Sequence, residues 1–339
     1  FMPENPGSKP ISVEAAAHIL EILAKQGVQR LYLSGGEPLL HPELPEIVRR
    51  ARALSDWKLF VVTNASTERG ELVDDLADQV DWFQVSVDGI DAATHDALRA
   101  PGSFARAIGL IQRVGARASR AKTCLSFTPH PTNVDQIPQL FRFAMQAGAR
   151  AVYVTKPKRP ARNHPGRDPH IEEFLSAAFR ARVLAAYDEL VLSYCDNARG
   201  LATYRDVTLP EIDSGFDPAV NLLLCARRAC CGAGGTTLFV DEKGDCYPCS
   251  ALVRPDCRLG NLLEEPFEVV YGERSVKGFR QRIHVDRIEE CRGCPYRYFC
   301  AGDCRALTDD VLRRTPYCEQ VRERYDRFLR LVRPGLRRA

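Results

Sequence analysis

Apolar residues recur along the first half of the chain in two alternating periods. In "SVEAAAHILEILAKQG", Ala16, Ile19, Leu20 and Leu23 share one face at helical spacing, with Ser12 as the N-cap and Gly27 as the stop. The apolar run "RLYLS" follows at once, then the polar turn "GGEP" and a helical stretch from 42 to 54. "LFVVT", "FQVSV", "CLSF" and "AVYVT", which ends near Thr155, repeat the alternation with helical stretches between them. Short apolar runs separated by amphipathic helices are the pattern of βα units on a parallel sheet, and five strands are predicted. Further on, "TTLFVDEKGDCYPC" predicts a hairpin that turns at 241–244 and returns Cys249 towards Cys231. The stretch "VRERYDRFLRLVRPG" predicts an amphipathic C-terminal helix that packs Val321, Tyr325, Phe328 and Leu329 on the body.

In βα sheets and barrels ligands bind at the C-terminal strand ends, which directs attention to the polar residues there. After the first strand come Ser34, Gly35, Gly36, Glu37 and Pro38; after the second, Thr63 and Asn64; on and after the third, Ser86, Asp88 and Gly89. Adjacent glycines let backbone groups approach a ligand closely, and a neighbouring carboxylate suits an ammonium group, so the combination fits an amino acid moiety. The same tetrapeptide also suits a plain tight turn in which Glu37 faces the dipole of the next helix.

Composition narrows the class. The chain has 339 residues, 45% hydrophobic and 27% charged, enough for one large or two medium globular domains. A net charge of +3 leaves no electrostatic footprint for nucleic acid or an anionic membrane. No run approaches the roughly 18 apolar residues of a membrane span, and the start lacks a signal-peptide layout, so a cytoplasmic protein is expected. The chain opens on Phe1 with no strand before its first helix, which predicts more protein upstream.

Thirteen cysteines change the picture, because eleven of them fall between Cys225 and Cys318. In a reducing compartment such thiols are expected to be metal ligands or catalytic groups. Cys231 is followed by twelve residues, Gly244, four more and Cys249; then Cys291, Cys294, Cys300 and Cys304 crowd into "ECRGCPYRYFCAGDC", and Cys318 comes after a gap. CxxC knuckles of this kind suit structural zinc. Eight thiols without a histidine among them suit two iron–sulfur clusters equally. Cys230, Cys246 and Cys257 are left over as spectators, with Cys230, beside Cys231, the alternative ligand, and Cys124 and Cys195 read as packed small hydrophobes.

"LSGGEPLL", "VVTNAS", "VSVDG" and "HDALRAPGSFARAI", in this order on these strand ends, resemble the radical S-adenosylmethionine (SAM) enzymes. The cysteine spacing C-x9-15-G-x4-C, C-x2-C-x5-C-x3-C and C, with "LGN" at 259–261, resembles the SPASM domain that follows the barrel in peptide-modifying members. The resemblance implies an α/β fold: a partial (β/α)6 TIM-like barrel over 1–187, a bridge over 188–224, a SPASM domain over 225–320 and a C-terminal helix over 321–339. It places the methionine part of SAM against Gly35, Gly36 and Glu37, with Glu37 meeting the amino group. Thr63, Asn64, Ser86, Asp88 and Arg99 are further candidates for SAM contacts. It assigns Cys225, Cys231, Cys249 and Cys304 to a first auxiliary [4Fe–4S] cluster, and Cys291, Cys294, Cys300 and Cys318 to a second. The family's CxxxCxxC loop, which holds the SAM-cleaving cluster, does not occur here, and the resemblance implies a fragment that starts just after that loop.

The function implied is generation of a 5′-deoxyadenosyl radical to modify a precursor peptide or protein side chain, with flavodoxin or ferredoxin as electron donor. Sulfatase-maturing and tetrapyrrole-modifying relatives are the alternatives, and a non-catalytic zinc module on a βα barrel is the rival from another class. Ser250 stands where sulfatase-maturing relatives carry an Asp, which favours the peptide maturase. The basic stretch "KPKRPARNHPGR" at 156–167 is either a solvated loop or a contact for an acidic peptide.

Overall fold

The computed structural model describes residues 9–155 except Glu68, residues 173 and 176–200, and residues 230–326 except 309 and 324; of 191–200 it describes the helical backbone alone. Five parallel strands appear where the apolar runs predict them: β1 (Arg30–Leu33), β2 (Lys58–Thr63), β3 (Trp82–Ser86), β4 (Lys122–Phe127) and β5 (Ala151–Val154), in that spatial order. The intervening helices are α1 (Val13–Ala24), α2 (Leu44–Leu54), α3 (Gly70–Ala77), α4 (Ala92–Leu98), α5 (Ser103–Gly115) and α6 (Leu140–Ala147). Parallel neighbours require such crossovers, because a tight turn cannot return the chain to the same edge. Ser12 caps α1 as expected, its hydroxyl accepting from the Ala15 amide at 3.1 Å. The helix α7 (Ala177–Gly200) follows, and the boundary expected at 187 falls inside it.

The chain divides into two compact units, Phe1–Thr155 with Arg182–Ile212, and Lys156–Ala181 with Asp213–Ala339. In the first, Leu59, Val61, Phe83, Val85, Leu125 and Val152 alternate along the strands as the buried set. The other face of the sheet stays partly open and carries the opposite set. Tyr32, Phe60 and Trp82 lie in register across β1, β2 and β3. Their rings stack at 4.4 Å and 6.3 Å, and Lys122 stands over Trp82 at 6.0 Å. Nearer the C-terminal strand ends the same face becomes polar, where Ser86 pairs with Ser126 and Ser126 with Tyr153.

In the second unit the expected hairpin forms from β6 (Phe239–Val240) and β7 (Asp245–Tyr247), and β8 (Gly260–Asn261) adds to it. The Gly244 amide closes the turn onto the Asp241 carbonyl at 3.1 Å, and Gly244 takes φ +86°. The C-terminal helix was expected on the barrel body. Among the described residues its buried Tyr325 instead stacks on Tyr296, at 4.8 Å, inside the cysteine-rich unit. Phe328 and Leu329, like the stretch 156–167, lie outside the described residues.

Phe83 is fully buried in the centre of the sheet. Phe83→Ala is expected to destabilise the first unit by about 3–5 kcal/mol, read as a lowered denaturant midpoint.

Candidate functional site

The β1 turn is held from beneath by a buried carboxylate. Gly35 takes φ +150°, a conformation open to glycine, and leads into Glu37, which is 3% exposed. Glu37 Oε1 accepts from the Leu39 amide at 3.0 Å and from the Thr63 hydroxyl at 2.7 Å, while Oε2 accepts from the Asn64 amide at 2.7 Å. Thr63 in turn accepts from the Ala65 amide at 2.9 Å, and Ala65 is held at φ +53°. The Asn64 side chain accepts from the Ser66 amide at 2.7 Å. Glu37 thus joins the ends of β1 and β2 with three donors on its carboxylate. A carboxylate offers about four acceptor positions, so Oε2, with one protein donor, keeps room for the amino-group contact that the resemblance gives it. Gly35 and Gly36 themselves are exposed.

A second cluster sits at the end of β3. Asp88 Oδ2 accepts from Arg99 Nε and Nη2, each at 2.7 Å, and Oδ1 accepts from the Thr128 amide at 2.8 Å. Asn133 Nδ2 donates to the Asp88 and Thr128 carbonyls, each at 3.0 Å. His95 Nδ1 accepts from the Asp88 amide at 3.0 Å, so the proton of the neutral ring belongs on Nε2. That nitrogen is buried without a partner among the described residues. Burial pushes the His95 pKa down, and the nearby Arg99 charge adds to the effect. The Ser86 side chain lies on the half-open face, opposite Ser126, which accepts from Gln84 Nε2 at 3.1 Å. Sequence reasoning passed over His95 and Asn133. Both hold the strand end from residues whose approach depends on tertiary structure.

In the cysteine-rich unit Cys291, Cys294, Cys300 and Cys318 line one small cavity, with no carboxylate or imidazole in its wall. The Cys294 amide bonds the Cys291 carbonyl at 3.0 Å, closing the CxxC knuckle. Between Cys300 and Cys304 the backbone takes positive φ three times in succession, at Ala301, Gly302 and Asp303 (+53°, +76° and +60°). Such a run costs on the order of 1–2 kcal/mol at each non-glycine position. Cys304 is absent from the wall that holds Cys300. Of the other predicted set, Cys225 lies outside the described residues. The turn after Cys231 meets the segment before Cys249 through the Gly234 amide and the Pro248 carbonyl, at 2.8 Å.

Among the described residues no three His, Cys, Asp or Glu side chains converge as a single-ion site. Four thiols ringing a shared cavity fit a cluster of several irons. Burial pushes the Cys291 thiol up, with the Arg305 charge opposing it, and pushes the Cys318 thiol up against Arg314. The leftover cysteines differ. Cys246 is fully buried and pushed up to about 12, chiefly by burial; Cys257 is buried beside Arg254 and Asp256 and is also raised by burial. Both behave as packed thiols. Cys124 is half-buried on β4, and the Cys195 side chain is outside the described residues.

Comparison with known proteins gives this arrangement its class. The Radical SAM superfamily matches residues 2–144, and the SPASM iron-sulfur cluster-binding domain matches residues 230–295. An AdoMet-dependent heme synthase of Methanosarcina barkeri is 28% identical over 322 residues, covering 91% of this chain and 87% of the relative. A PqqA peptide cyclase of Streptomyces rochei is 27% identical over 322 residues, covering 91% and 80%. The solved structure of native anSMEcpe with bound AdoMet and Cp18Cys peptide shares the fold at TM-score 0.70 and 16% identity, over 96% of this chain and 90% of that one. The chain belongs to the radical SAM enzymes that carry a SPASM domain. Its cofactors are SAM and [4Fe–4S] clusters.

Thr63→Val keeps the volume but removes one donor from Glu37 and the acceptor of the Ala65 amide. It is expected to lower stability by about 1–3 kcal/mol in denaturant unfolding. His95 has its folded pKa below its unfolded value of about 6.5, so its contribution is present above that pH and is lost as pH falls through the folded pKa. The melting temperature of the wild type is therefore expected to drop from pH 7 to pH 5 more steeply than that of His95→Asn, whose amide oxygen can still accept from Asp88. Parallel curves for the two proteins would exclude this role of His95.

Proposed function

We propose that this enzyme is a peptide maturase, and that its substrate is a side chain of a ribosomally made precursor peptide. The observation that carries the reading is the likeness, over 91% of the chain, to a relative named for cyclising a peptide, in which both the radical SAM and the cysteine-rich parts are matched. Ser250 in the position of a sulfatase-maturing Asp supports it against that alternative. SAM bound beside a reduced [4Fe–4S] cluster supplies a 5′-deoxyadenosyl radical that takes a hydrogen atom from the substrate.

The chain's own residues do the holding. In this reading the backbone of Gly35 and Gly36 meets the methionyl end of SAM, and Glu37 acts beneath it, with Thr63 and Asn64, by fixing the two strand ends. Ser86 and the outer N–H groups of Arg99 face the ligand at the β3 end, while Asp88 positions Arg99. Cys225, Cys231, Cys249 and Cys304 hold one auxiliary cluster, and Cys291, Cys294, Cys300 and Cys318 the other. The half-open sheet face, aromatic at one end and polar at the other, orients a side chain and limits water around it. An electron donor of the flavodoxin or ferredoxin kind and a cytoplasmic setting complete the proposal; no described helix is long and apolar enough to cross a membrane.

A second reading follows from the heme synthase relative, which covers as much of the chain. One experiment separates the two. The full-length protein, reconstituted anaerobically with iron and sulfide, is supplied with SAM, a reductant, and either a candidate precursor peptide, sought among short reading frames beside its gene, or a tetrapyrrole. The expected result is 5′-deoxyadenosine release coupled to loss of hydrogen from the peptide by mass spectrometry. Coupling to the tetrapyrrole alone would overturn the peptide reading. Iron analysis tests the ligand sets: Cys294→Ala and Cys249→Ala should each lose one four-iron cluster, and loss of cluster binding energy should lower the melting temperature of the cysteine-rich unit.

A further inference from the structure

One charged side chain of the cysteine-rich unit has no charge to match it. Arg305, directly after Cys304, is 1% exposed. Its guanidinium donates to three backbone carbonyls: Nη1 to Arg313 at 2.8 Å and to Val311 at 3.2 Å, and Nε to Asp303 at 3.5 Å. Nη2 is buried and has no partner. Among the described residues no carboxylate pairs with this cation; the contact to Asp303 is through its carbonyl oxygen. Burying a guanidinium without a counter-charge is strongly unfavourable, and a protein retains one where an anion answers it.

The position of the charge indicates which anion. Gly302 forms part of the wall of the cavity lined by Cys291, Cys294, Cys300 and Cys318. A Cβ built on Gly302 would stand 3.0 Å from Arg305 Nη2 and 3.1 Å from Cζ, so the guanidinium lies directly against this glycine. Arg297, Arg314 and Arg322 also line the cavity, but Arg297 is answered by Asp286 at 3.1 Å, and the side chains of the other two are exposed and screened by water. Arg305 is the cation behind the wall that water does not reach. Four thiolates around a [4Fe–4S] core in its oxidised state carry a net charge of minus two, and reduction adds another negative charge.

We propose that Arg305 is the buried counter-charge of the cluster held by Cys291, Cys294, Cys300 and Cys318, and that it raises that cluster's reduction potential. The inference rests on the cluster assignment above. The run of positive φ at 301–303 fits the same role, since Gly302 is where a side chain would push the guanidinium away. Net charge and hydrogen bonding around an iron–sulfur cluster are what set its potential. A cation fixed in the low-dielectric interior favours the reduced, more negative form.

The test is an EPR-monitored redox titration of the reconstituted full-length protein, with Cys294→Ala identifying which auxiliary signal belongs to this cluster. Arg305→Gln is expected to lower the reduction equilibrium of that couple at least tenfold, about 59 mV for one electron, and to move the other auxiliary couple less. Arg305→Lys, which keeps the charge, should recover most of the shift. An unchanged potential in fully loaded Arg305→Gln, or equal shifts in Gln and Lys, overturns the proposal. If Arg305→Gln takes up no iron at this site, loading becomes the readout: recovery in Arg305→Lys supports the counter-charge, and failure of both variants assigns Arg305 to packing. Absence of the second auxiliary cluster from the wild type would instead sink the cluster assignment itself.

Discussion

A parallel sheet brings every strand's C-terminal end to one edge, and the polar groups gathered there must satisfy one another or meet a ligand. Two buried carboxylates meet that demand. Glu37 draws its donors from the turn after β1 and from the end of β2. Asp88 draws its donors from α4's end and from the turn after β4. Each joins neighbouring βα units across a loop, where backbone pairing has stopped. The strand ends are thereby fixed in place before anything binds.

The second unit is organised differently. Its strands are two or three residues long, and one described core cluster consists of Val285, Ile288 and Cys291 with Tyr298 against it. Residues such as Leu262, Val270, Phe279, Ile283 and Tyr317 are buried among its short turns and knuckles, and thiol ligation would add cluster binding energy to that packing. Strain at Ala301 and Asp303 and an unanswered charge at Arg305 are tolerable in such a unit if the inorganic group contributes to the folded state.

Much of this was readable from the chain. Strand positions follow from a local period of apolar residues and survive the step to three dimensions; of the cysteines that spacing marks, Cys291, Cys294, Cys300 and Cys318 line one cavity. Roles that depend on approach do not. Glu37 stands out because its neighbours are glycines, but that two of its donors arrive from residues 26 and 27 positions later is not written in the turn. Asn133 reaches Asp88 across 45 residues, and nothing in "PHPTN" announces it. Arg305 reads as one more surface charge among the 47 basic residues, and only its burial distinguishes it. The C-terminal helix shows the same limit: its apolar face was evident, but the identity of Tyr296 as its partner was not.

The aromatic row on the open sheet face has an optical consequence. The chain has two tryptophans, and they occupy opposite environments. Trp57 is 1% exposed and shielded within the helix-covered side of the first unit, whereas Trp82 is half-buried on the open face, stacked on Phe60 with the Lys122 ammonium above it. The intrinsic fluorescence of the first unit is therefore the sum of an indole shielded from solvent and one open to it. The open indole stands at the N-terminal end of β3, so the protein carries an unlabelled reporter of the packing and solvent exposure of the open sheet face.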